Sequence, residues 1–162
     1  MSNHLKTRFD GRKLKIVMAV VTFIVVLGVA VVFLTQNQTR PLSTPYLEEI
    51  VKGTLLVDAS SYASFNFSLP SGVRSANVMG TFTVSEGMET IKVYIFDSAG
   101  FMDWQNSGNA SSYYNSGEMT SSNITATLVS PGTYYLVYDN TFSLISKNVT
   151  AQVNFYYIPN QQ

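Results

Sequence analysis

Residues Asn148–Ile158 read Asn-Val-Thr-Ala-Gln-Val-Asn-Phe-Tyr-Tyr-Ile. Val149, Ala151, Val153, Phe155 and Tyr157 fall on one side of a two-residue repeat, and the polar residues fall on the other. A period of two is the mark of a half-buried β-strand, because successive side chains leave a strand on opposite faces. The same rule holds upstream. Arg74–Val84 sets Ala76, Val78, Gly80, Phe82 and Val84 against Asn77, Thr81 and Thr83. Tyr62–Leu69 sets Phe65, Phe67 and Leu69 against Asn66 and Ser68, and Asn123–Val129 sets Ile124, Ala126 and Leu128 against Thr125 and Thr127. Leu55–Ala59 and Tyr134–Asn140 are shorter apolar strands, and Ile91–Asp97 is partly apolar on both faces, as a central strand is.

Turn chemistry separates these runs at Pro70-Ser71-Gly72, Ser85-Glu86-Gly87 and Ser130-Pro131-Gly132. About seven or eight strands with no heptads and no repeat predict an all-β protein, an antiparallel β-sandwich over residues 53–162. Asp97–Thr120 breaks the pattern. It is long, rich in Gly, Ser and Asn, and reads as a loop carrying Phe101, Trp104, Tyr113 and Tyr114.

Before the strands, Ile16–Leu34 carries no charge and is broken only by Thr22 and Gly28. At about 1.5 Å per residue such a helix matches the hydrocarbon thickness of a bilayer. Lys6, Arg8, Arg12, Lys13 and Lys15 precede it, and the next basic residues are Arg40 and Lys52. The positive-inside rule then leaves residues 1–15 as a cytoplasmic basic tail, makes 16–35 a transmembrane signal anchor, and sends the rest across. The run is longer than a cleaved signal's apolar core and ends in Val-Phe-Leu-Thr-Gln, without a small-residue cleavage site. Residues 36–52 form a stalk, polar and Pro-containing to Pro45, with Tyr46–Lys52 as two helical turns or a lead-in strand.

Pro131–Ser143 reads Pro-Gly-Thr-Tyr-Tyr-Leu-Val-Tyr-Asp-Asn-Thr-Phe-Ser. Through Gly132, Tyr134, Leu136, Tyr138, Asp139, Asn140 and Ser143 it resembles the penultimate-strand signature of GOLD domains, the β-sandwiches of p24-type membrane trafficking proteins. The resemblance implies a jelly-roll or GOLD-like sandwich that binds proteins or lipids without catalysis. The p24 type has a C-terminal transmembrane helix and usually a Cys pair. This chain has an N-terminal anchor and no Cys, so cargo-receptor function does not carry over. The pattern is similar to secreted prepeptidase-type β modules as well.

No Cys and a single His, His4, exclude disulfides, thiolate metal sites and any His-based triad in the exported part. No Gly-x-Ser-x-Gly motif and no Ser-x-x-Lys motif in a credible context is present, and a non-enzymatic protein is expected. Past the anchor, five basic side chains stand against nine acidic ones, which speaks against nucleic acid as a partner. Asp139 and Asn140 suit either a strand end or a ligand contact. Asp97, Asp103 and Glu118, with Asn106 and Asn109, are candidate calcium ligands, although their spacing matches no EF-hand. Asn37, Asn66, Asn109, Asn123 and Asn148 are glycosylation sequons, roughly twice the number expected by chance. The aromatic residues of 97–120 suit either recognition or packing against the sandwich.

Together these readings predict a single-pass cell-membrane protein whose C-terminal extracytoplasmic domain is a binding or assembly module for another envelope or membrane protein. The alternative is a carbohydrate- or lipid-binding ectodomain, calcium-assisted, with no other cofactor.

Overall fold

The computed structural model describes residues 44–73, 75–85 and 89–159. The tail, the anchor, Asn37 and the first part of the stalk, 36–43, lie outside them. Among the described residues no helix is long and apolar enough to cross a membrane.

The described residues form eight strands: β1 (Tyr46–Val57), β2 (Tyr62–Leu69), β3 (Ala76–Ser85), β4 (Ile91–Asp97), β5 (Tyr114–Met119), β6 (Ser121–Leu128), β7 (Gly132–Asp139) and β8 (Lys147–Tyr157). They pair antiparallel in two four-stranded sheets, ordered β1-β8-β3-β6 and β2-β7-β4-β5. Eight strands exchanged between two sheets in this order make a jelly-roll β-sandwich. Tyr46–Lys52 is the first half of β1 rather than stalk, paired from Tyr46 opposite Tyr157. The sandwich therefore starts before residue 53.

The alternation seen in the sequence sets the packing. Val78, Phe82, Ile124, Leu128, Val149, Val153 and Phe155 point inward from the first sheet and are buried. Phe67, Leu69, Ile91, Val93, Ile95, Tyr134, Leu136 and Tyr138 meet them from the second. Burying an aliphatic or aromatic side chain of this size stabilises a fold by about 1.5–3 kcal/mol relative to exposure.

Asp97–Thr120 corrects the sequence reading, since it is not a loop. Ser98–Ser107 is a helix, α1, and Tyr114–Met119 is the edge strand β5, paired with β4. Asp97 caps α1, its Oδ1 accepting from Gly100 N at 2.7 Å, and Gly108 ends it at φ 70° with its N–H on the Trp104 carbonyl. The helix covers the outer face of the second sheet, where Phe101 and Trp104 meet Phe96 and Val137 in a second core. That is why β4 is apolar on both faces: Ile91, Val93 and Ile95 face the sandwich interior, and Tyr94 and Phe96 face the helix.

Candidate binding tip and cleft

The β7–β8 connection, residues 140–146, closes the end of the sandwich opposite Tyr46. Its anchor is Asn140, fully buried, whose Nδ2 donates to the carbonyls of Val57, Asp58 and Ile145 at 3.3, 3.0 and 2.8 Å. Thr141 N and Oγ1 both donate to Asp139 Oδ1, at 2.8 and 2.7 Å, in an Asx turn. Across from the loop, Ser60 N donates to the Ser143 carbonyl at 2.8 Å and Ala59 N to Ser146 Oγ at 3.1 Å. With its backbone held this way, the loop turns Phe142, Leu144 and Ile145 to solvent, Leu144 at 88% exposure. The Phe142 ring receives two ammonium groups, Lys92 Nζ at 4.5 Å and Lys147 Nζ at 4.9 Å from its centre. Lys147 is itself buried and donates to the Thr90 carbonyl.

Beside the tip, the outer face of the second sheet holds a cleft of about 470 Å³. Tyr62, Tyr94 and Trp104 supply its aromatic wall, the end of α1 brings Gln105 and Gly108, and Lys92, Asp139 and Thr141 close it toward the tip. Strand register assembles it, because Asp139 stands opposite Tyr62 on one side and Lys92 on the other. Burial pushes the Tyr94 hydroxyl above its ordinary pKa, and the Asp139 carboxylate pushes the same way. Gln105 Nε2 donates to the Tyr62 hydroxyl at 2.6 Å, and Lys92 Nζ meets Glu118 Oε1 at 3.1 Å.

No protein-family model and no curated protein sequence matches the chain. Solved structures to which it is similar include a pilus subunit of Bacillus endospore appendages, at 9% identity, with 75% of this chain and 95% of that one covered and a TM-score of 0.45. A carbohydrate-binding module, CBM35 from Paenibacillus barcinonensis, is similar at 12% identity, with 71% and 99% covered and a TM-score of 0.33. At these scores the likeness says nothing about what this chain binds.

The aromatic residues of 97–120 do not form an exposed patch. Phe101 and Trp104 are buried, Phe101 stacked on Tyr135 with ring centres 4.2 Å apart and Trp104 edge-on to Tyr62 at 5.0 Å. Tyr114 donates to the Asn123 carbonyl at 2.8 Å, and Tyr113, partly exposed, packs edge-on against Tyr134. Trp104 alone of the four reaches the cleft.

The expected calcium ligands do not converge either. Asp97 caps the helix and Asp103 lies exposed on it, both bordering a separate hollow with Ser111 and Tyr113. Glu118 is on β5, engaged with Lys92. Among the described residues no three carboxylate or imidazole side chains gather as a metal site. Asn140 is a structural pin, whereas Asp139 both caps the tip turn and lines the cleft. The sequon residues Asn66, Asn109, Asn123 and Asn148 are all exposed. The exposed apolar tip was missed in the sequence, where Phe142, Leu144 and Ile145 look like ordinary core residues.

Proposed function

We propose that this chain is a membrane-anchored extracytoplasmic binding and assembly module, without catalysis, that joins another envelope or membrane protein through its tip. The observation that carries the reading is the rigid loop 140–146, which presents Phe142, Leu144 and Ile145 to solvent on a backbone pinned by the buried Asn140. A surface whose backbone is already ordered loses less entropy when it docks. Three exposed apolar side chains within the four residues 142–145, at one end of the sandwich, mark an interaction site.

Charge favours a protein over a lipid surface as the occupant. Peripheral membrane binding draws on free basic side chains around the apolar residues. Here Lys92 is engaged by Glu118 and Lys147 is buried, while Asp58 and Glu89 stand at the same end.

The test is photo-crosslinking in native membranes with a crosslinker in place of Leu144, then native electrophoresis and mass spectrometry. The expected result is one defined partner from position 144 and none from Gln152 on the opposite sheet, with Leu144→Asp abolishing the complex at an unchanged melting temperature. A chain that migrates alone, or that crosslinks only to lipid, overturns the reading.

A further inference from the structure

We infer that the cleft beside the tip is a saccharide site, sharing Thr141 with the docking loop but none of that loop's exposed apolar side chains, and that it holds one or two neutral sugar rings. Its volume, about 470 Å³, falls within the roughly 300–1,000 Å³ usual for small-molecule pockets. The argument rests on the balance of its polar groups. Asp139 is 4% exposed, and its Oδ1 is occupied by Thr141. Its Oδ2 has no hydrogen-bond partner among the described residues, so one carboxylate oxygen at the cleft surface is left for a ligand. Gln105 spends its amide N–H on Tyr62 and keeps its carbonyl oxygen free among the described residues.

Donors stand across from these acceptors. Lys92 Nζ has protons beyond the one directed at Glu118, and the Tyr94 hydroxyl keeps its proton because burial and the Asp139 carboxylate both disfavour the phenolate. An anion would call for donors alone and a cation for acceptors alone. A sugar hydroxyl both donates and accepts, and a set holding a carboxylate, an amide oxygen, an ammonium and a phenol matches it. The rings of Tyr62 and Tyr94 supply the apolar surface on which the C–H face of a sugar ring rests.

The experiment titrates the full chain, in a detergent with no sugar headgroup, with methyl glucoside, methyl mannoside, methyl galactoside and N-acetylglucosamine. Fluorescence of Trp104, the sole tryptophan and part of the cleft wall, is the readout. Choline and sulfate serve as cation and anion probes. At least one sugar should saturate at millimolar concentration, and Gln105→Ala should weaken it about tenfold, the loss of one hydrogen bond to the ligand, at an unchanged melting temperature. Lys92→Met is a second variant, expected to weaken the same sugar. Saturation by choline or sulfate with no response to any sugar overturns the inference, as does sugar binding that both variants leave untouched. Leu144→Asp should leave sugar binding intact, which separates failure of this site from failure of the docking tip.

Discussion

Gly80 on β3 and Val153 on β8 face one another so closely that a Cβ on Gly80 would stand 2.6 Å from Val153 Cα and press on the Gln152 carbonyl. The obstacle is backbone of a central strand and has no rotamer to yield. Gly80→Ala is expected to destabilise the domain by about 1–3 kcal/mol, read as a lower denaturation midpoint. An unchanged midpoint would show that the two strands part at little cost.

Tyr138 carries its hydroxyl into the sandwich interior, where the oxygen has no hydrogen-bond partner among the described residues. Its ring packs edge-on against Phe65 and Phe82, contacts that a phenylalanine keeps. Tyr138→Phe removes only the unpaired group and is expected to stabilise by about 1 kcal/mol, raising the melting temperature by a few degrees. A destabilised variant would point to a partner for that oxygen.

Asp97→Ala removes the cap of α1, at about 1 kcal/mol. The effect should be local, since the helix lies outside the main core. A red shift in Trp104 fluorescence, with unfolding of the sandwich little altered, is the expected signature. An unshifted spectrum would mean that packing alone seats the helix.

Alkali should unfold the protein through its buried phenols. Burial, with the Tyr113 hydroxyl adding to it, pushes Tyr134 up from 10.0 to about 12, and burial raises Tyr138 as well. A phenol with a raised pKa in the folded state contributes its full share of stability below the unfolded value. That share is lost as pH climbs through the folded value. Melting temperature should therefore hold to near pH 10 and decline toward pH 12, less steeply in Tyr134→Phe. A decline equally steep in that variant would assign the transition to other groups.

The alternating strands were legible because each buries one face, and the register of β2, β3, β6 and β8 follows from that. The helix was not. Gly100, Ser98 and Asn106 disguise it, although Asp97 at the N-cap, Gly108 at the C-terminus and the three-residue spacing of Phe101 and Trp104 all signal one. Strand β5, Tyr-Asn-Ser-Gly-Glu-Met, hides for another reason. It is a polar edge that turns through Gly117 at φ 64°, and its pairing with β4 supplies what its own composition lacks. Asn140 joins carbonyls from Val57 to Ile145, a relation that exists only once the sheets are assembled. The cleft is the same kind of object, built where three strands and one helix end happen to meet.

Strand β8 lies between β1 and β3, and β7 lies between β2 and β4. Each sheet is thus closed by a strand from the last third of the chain, and a nascent chain that stops short of Gly132 has no neighbour for β1 or β2. Pairings over such sequence distances form slowly, after long loops have closed. The order of the strands delays folding until synthesis is nearly complete. On the extracytoplasmic placement proposed above, that delay would ease passage through a narrow translocation pore, because nothing compact would form behind the pore to block it.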